Sequence, residues 1–275
     1  MHENKNRHWS SSNSSSVKIS FTSGSPGSGK TLIALKTALE YSRNGKKTLF
    51  IDCDVNSNNS SIKLGLGKNN EFQKIITGEA SLNETVFKKG NFHLLVADGR
   101  FIPNEENNFE QIVIDIIHSH EDEYDFIIVE CPPLGKNYFL NLNAFCDHRV
   151  IVITPDRKSL TDSYSFIKMI TQKFGKIESH IFVNKYSNHN QFQKVSSSLT
   201  ETIENFIGAK THLVGGMPKF NFDDNGFDTF FLSGSKNEIN HNFVKLLYGF
   251  TEKAVGPRIF PNTGVTQRTN EQDVH

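Results

Sequence analysis

One stretch of this chain has the residue types and spacing to hold a run of phosphates. Gly24-Ser25-Pro26-Gly27-Ser28-Gly29-Lys30-Thr31 fits G-x-x-x-x-G-K-[ST] without a gap. In such a loop the glycines let successive backbone N–H groups turn toward phosphate oxygens, and a helix starting behind the loop adds partial positive charge. Lys30 is placed to reach the β- and γ-phosphates, and the Thr31 hydroxyl to ligate Mg2+. A metal and an attacking water also need carboxylates. Two apolar runs end in them, Ile51-Asp52-Cys53-Asp54 and Val129-Glu130-Cys131-Pro132-Pro133. Alternation along an extended chain puts Asp52 and Asp54 on one side. Glu130 follows four apolar residues, the position of a metal-holding strand-end acid.

These groups work only if strands and helices bring them together. Val17–Thr22 reads as a strand, followed by the loop and then a helix over Thr31–Ser42 with Ile33, Ala34, Ala38 and Tyr41 on one face. Asn44-Gly45 stops it. Further strands are expected at Thr48–Asp52, Phe92–Val96 (the third), Asp125–Val129, Val150–Thr154, His180–Asn184 and Thr211–Gly215. Helices are expected at Phe109–His118, Ser159–Phe174, Gln193–Phe206 and Ile239–Lys253. Short apolar strands alternating with helices predict an α/β fold: a doubly wound, mostly parallel sheet of about seven strands with helices on both faces. Residues 1–16, rich in Ser, Asn and His, read as a disordered tail, 17–255 as one domain, and 256–275 as a loose C-terminal tail.

Composition narrows the classes. The 275 residues suffice for one sizeable core. Lys+Arg and Asp+Glu are 30 each, so the net charge is zero, which argues against a basic nucleic-acid binder. Mean hydropathy is −0.44 and no apolar run reaches membrane-spanning length. The amphipathic Ile239–Lys253 segment carries only two lysines, which allows at most peripheral membrane contact. The first residues lack the apolar core of a secretory signal, and Cys53, Cys131 and Cys146 are widely spaced, so a cytoplasmic location is expected. The histidines lack zinc-site spacing. The 23 phenylalanines, against one Trp, read as codon bias or core filling.

The combination resembles the MinD/ParA group of P-loop ATPases, which includes the flagellar-number regulator FlhG. The likeness rests on the loop, on Asp52-Cys53-Asp54 with Asn59 downstream, and on Asp125–Pro133. It extends to Thr154-Pro155-Asp156 leading to Asp162, Val183-Asn184-Lys185-Tyr186 and Gly215-Gly216-Met217-Pro218. The resemblance implies Mg-ATP as ligand and slow hydrolysis used as a switch in spatial or numerical regulation: flagellar or cell-pole placement, chromosome or plasmid partition, or division-site selection. It also implies an ATP-dependent homodimer with Asp162 at its face. Asp54 would position the water, Asp52 would lie near the metal, Asn184 would bond adenine and Pro218 would border the base. Three positions depart from the pattern. The signature lysine of K-G-G-x-G-K falls on Ser25, the usual switch aspartate on Glu130, and the switch glycine on Leu134, with Gly135 next. Another cation such as Lys136 would then have to substitute, or hydrolysis would be slow or lost, leaving a nucleotide-binding adaptor. Ser25–Thr31 and Cys131-Pro132-Pro133 also resemble bacterial tyrosine kinases of the capsule-export type, but only Tyr248 lies beyond Tyr186 where those kinases carry a tyrosine cluster.

Overall fold

The computed structural model describes residues 16–54, 59–66, 72–97, 106–133, 139–220 and 224–255. Both expected tails, Ser16 apart, and Leu134, Gly135 and Lys136 lie outside these residues. In chain order the elements begin β1 (Val17–Ser23), α1 (Lys30–Arg43), β2 (Thr48–Asp52), α2 (Asn59–Lys63), α3 (Phe72–Ile76), α4 (Leu82–Thr85), β3 (Phe87–Lys89) and β4 (Phe92–Val96). Then come α5 (Glu106–His120), β5 (Phe126–Glu130), α6 (Leu140–Phe145), β6 (His148–Ile153), α7 (Arg157–Phe174) and β7 (Ser179–Tyr186). The chain continues with α8 (His189–Ile207), β8 (Thr211–Pro218), α9 (Asp224–Leu232) and α10 (Glu238–Val255).

The strands form one sheet of eight, ordered β3-β4-β2-β5-β1-β6-β7-β8. All neighbours are parallel except β3, which runs antiparallel to β4. The expectation of about seven strands missed β3. It is three residues long, exposes Lys88 and Lys89, and so carries no apolar run to read. Phe92–Val96 is therefore the fourth strand.

Period-2 alternation sends each strand's side chains to two cores. On β5, Phe126 and Ile128 join Ile19, Phe21 and Phe50 under α1, α9 and α10. Ile127 and Val129 point the other way, with Leu49, Ile51 and Leu95, toward α5 and α6. A third cluster joins β6 and β7 to α7 and α8. This parity decides the site: Asp52 and Glu130 continue the α1-facing series, whereas Cys53 and Cys131 continue the opposite one and lie buried as free thiols. Helix α1 is buried more widely than the one face expected, since Leu32, Leu35 and Lys36 are covered along with Ile33, Ala34, Ala38 and Tyr41. It lies between the sheet and α9. Helix α10 closes the same side with Phe243, Leu247 and Phe250. No helix among the described residues is long and apolar enough to cross a membrane.

At the sheet's other end, His148, His180 and His212 form a row across β6, β7 and β8. The ring of His180 lies 5.5 Å from each neighbour and 4.9 Å from Phe250. Burial, reinforced by His148, His212 and Arg149, pushes the His180 pKa down to about 3. Between about pH 6.5 and that value the unfolded chain holds a proton the folded chain refuses, so stability is full above about pH 6.5 and falls with acidification. Urea denaturation at pH 7.5, 6.5 and 5.5 should show this decline, and His180→Phe should flatten it. Equal slopes in the two proteins would assign the acid sensitivity to other groups.

Candidate functional site

The loop of Gly24–Thr31 leaves the C-terminal end of central strand β1 and opens helix α1. Gly27 and Gly29 have φ of 76° and 86°, a left-handed conformation that an L side chain strains to adopt. Among the described residues no side chain caps the first turn of α1, so its N–H groups stay open to an anion. Ser25, Pro26, Gly27, Ser28, Gly29, Lys30 and Thr31 line a cleft of about 540 Å3, with Asp54, Asn184 and Pro218. Gly24 does not line it. A Cβ there would come within 2.6 Å of the Ser159 carbonyl and 2.9 Å of the Asp162 Cβ, so this glycine serves the packing of the loop on α7. Asp156 caps α7 by accepting from the Ser159 N–H at 2.9 Å. Asp162 accepts from Lys158 on the exposed side of that helix.

Lys30, Thr31 and Glu130 converge. The Lys30 ammonium donates to Glu130 Oε1 at 2.6 Å, and the Thr31 hydroxyl donates to the same oxygen. Glu130 is fully buried. Its Oε2 has no hydrogen-bond partner among the described residues. The Asp54 carboxylate stands 3.8 Å from the Lys30 ammonium. Burial alone would lower the Lys30 pKa, but the carboxylates of Glu130, Asp54 and Asp52 together hold it above its ordinary value. Asp52 accepts from the Asp54 N–H at 2.9 Å and from the Ser60 hydroxyl on α2. Burial, then the nearby Glu130 charge, pushes its pKa up to about 7. Both strand ends lie beside the loop, with Asp52 tied to α2 while Asp54 faces the cleft.

Among the described residues no group of three or more His, Cys, Asp and Glu side chains gathers to hold a metal. Mg2+ does not require one, since it keeps waters and takes one or two protein oxygens beside substrate phosphates. The orphaned Glu130 Oε2 beside the Thr31 hydroxyl supplies that kind of hard oxygen set. The geometry fits the ion.

Strand β7 braces the loop from the other side. The Asn184 amide donates to the Ser28 carbonyl at 2.7 Å, and the Lys185 ammonium to the Gly27 carbonyl at 2.8 Å. Lys185 has a φ of 61°, and the β7–β8 register shifts between Asn184 and Tyr186. Such an irregularity re-aims a side chain. Sequence reading gave Lys185 no role, although it directly follows Asn184. It also left Lys63, Phe220, Phe227 and Asp228 out of the cleft they line. Phe220 stacks on Phe227 at 5.1 Å and Phe227 on Phe231 at 5.5 Å. Part of the phenylalanine surplus therefore forms a ladder from cleft to core. Tyr248 bonds Asn44 beyond the far end of α1. That helix has 14 residues, about 20 Å at 1.5 Å each, which separates this tyrosine from the loop within one chain.

A family model described as an AAA domain matches residues 16–183. The septum site-determining protein MinD of Buchnera aphidicola is 27% identical over 184 residues, covering 62% of this chain and 67% of that protein. The antiactivator FleN of Pseudomonas aeruginosa is 20% identical over 211 residues, covering 73% and 72%. Against the first curated relatives it matches, the chain spans 56% to 67% of their length. The crystal structure of the cell division ATPase MinD of Pyrococcus furiosus superposes with a TM-score of 0.66 at 19% identity, over 86% of this chain and 99% of that one.

Proposed function

The chain belongs to the AAA-domain family of MinD/ParA-type P-loop ATPases, and from that premise we propose that it binds Mg-ATP and hydrolyses it slowly as a conformational switch. The observation that carries this reading is the convergence of Lys30 and Thr31 on Glu130 behind an uncapped helix start. Phosphates entering the loop give Lys30 a new partner, and its ammonium leaves Glu130 for them. Thr31 and Glu130 would then hold Mg2+, which neutralises phosphate charge when bound. Asp54, on the cleft side of Lys30, orients the attacking water. Lys30 stabilises the charge that develops on the phosphoryl oxygens.

Asn184 supports ATP over GTP. One N–H of its amide goes to the Ser28 carbonyl, and its side-chain oxygen remains an acceptor on a residue that lines the cleft. That oxygen suits the N6 amino group of adenine and opposes the O6 of guanine. The name of the septum site-determining MinD relative supports a role of the switch in division-site control, with flagellar or cell-pole placement and partition as the group's other roles. A cytoplasmic site of action, an ATP-dependent homodimer and recognition of a partner through protein surface rather than nucleic acid complete the proposal. Zero net charge supports the last point.

Ser25 carries the reason for slowness. It lines the cleft where the group's lysine stands, and a hydroxyl there cannot offset transition-state charge. Ser25→Lys should raise the hydrolysis rate roughly tenfold or more and promote ATP-dependent dimerisation. Single-turnover phosphate release and sedimentation with ATP would measure both. No change in either would mean that another cation serves, or that a single chain completes the site.

A further inference from the structure

The cleft mouth is crossed by an ion pair that the phosphate chemistry does not use. Lys63 on α2 pairs with Asp228 on α9 across 165 residues of sequence. Both side chains line the cleft and are mostly covered, at 25% and 15% exposure. They come from opposite sides: α2 follows β2 and α9 follows β8, and in the sheet order these strands lie on opposite sides of central β1, with β5 between β2 and β1 and β6 and β7 between β1 and β8.

The two partners are anchored differently. Helix α9 is a fixed post. Its Phe231 is fully buried, the Lys36 ammonium lies 5.0 Å over that ring, and Arg43 donates to the Leu232 carbonyl. Helix α2 is a short arm of five residues that leaves Ile62 64% exposed. Ser60, one turn before Lys63 on this arm, bonds Asp52. The arm therefore joins the strand end that carries Asp52 and Asp54 to the far wall of the cleft. Phe220 and Phe227, stacked on each other, line the same cleft as the pair.

We infer that the Lys63–Asp228 pair is a latch across the nucleotide cleft, which parts to admit or release nucleotide and so sets exchange rates. This rests on the nucleotide-binding reading above. A latch differs from a ligand contact in its kinetics. Opening it speeds entry and exit together, whereas loss of a contact speeds exit alone.

The test is stopped-flow fluorescence with N-methylanthraniloyl-ADP and Mg2+ on the full chain, Lys63→Glu, Asp228→Lys and the doubly swapped protein. Each single variant is expected to raise association and dissociation rates about five- to tenfold with Kd shifted less than about threefold, and the swap is expected to restore both rates. Thermal melts of all four proteins identify any variant that fails to fold, and Lys63→Met then replaces a misfolded Lys63→Glu. Unchanged rates in a folded single variant overturn the latch and leave nucleotide binding intact. Faster dissociation alone, not restored by the swap, makes the pair direct ligands and also overturns it. Absence of binding by the unaltered chain overturns the nucleotide reading and the latch with it.

Discussion

Lys30→Met is expected to abolish nucleotide binding and to destabilise the free protein, two effects of one missing ammonium. Lys30 and Glu130 are both buried and lie 2.6 Å apart. Removing one partner of a buried pair leaves the other charge uncompensated and costs about 3–5 kcal/mol. Thr31 still donates to Glu130, but among the described residues Oε2 has no partner to offset the loss. Urea denaturation of the parent and the variant checks this. Adding Glu130→Gln to Lys30→Met should recover part of the loss, because an amide is cheaper to bury than an unpaired charge. A loss that Glu130→Gln leaves unchanged would mean that the cost is one of packing.

Asp54→Ala separates binding from chemistry. Asp54 stands 3.8 Å from the Lys30 ammonium and faces the cleft, while its neighbour Asp52 is engaged by Ser60 and by the Asp54 N–H. A group that orients the attacking water contributes about 10²–10⁴-fold to rate. The variant should therefore lose roughly two orders of magnitude or more in single-turnover hydrolysis. ATP affinity should stay level or improve, since a carboxylate leaves the neighbourhood of anionic phosphate. Equilibrium dialysis beside the rate measurement would show the split. A variant that hydrolyses at the parent rate would remove Asp54 from the chemistry and point to a water held by other groups.

The parts that sequence made legible are those governed by local rules. The loop motif needs only its own glycines, lysine and threonine, and the apolar runs of β2, β5 and β6 are long enough to announce buried parallel strands. Parity along β2 and β5 then carries Asp52 and Glu130 to the α1 side. What sequence left out depends on contacts between distant segments. Gly24 belongs to the motif by spacing, yet its missing side chain serves α7. Lys185 reaches the loop because its backbone turns left-handed within a strand, which its residue type does not announce. Lys63 and Asp228 sit in helices of five and nine residues, short segments with weak periodicity. Phe227 and Phe231 look like ordinary core filling until α9 is placed on α1.

Whether this cleft cleaves ATP is decided by single-turnover phosphate release from radiolabelled Mg-ATP, with Lys30→Met as the control. The expected result is slow release by the unaltered chain, clearly above the control, falling to the control level in Asp54→Ala. Release no faster than from Lys30→Met would contradict hydrolysis and make the chain a nucleotide-binding adaptor.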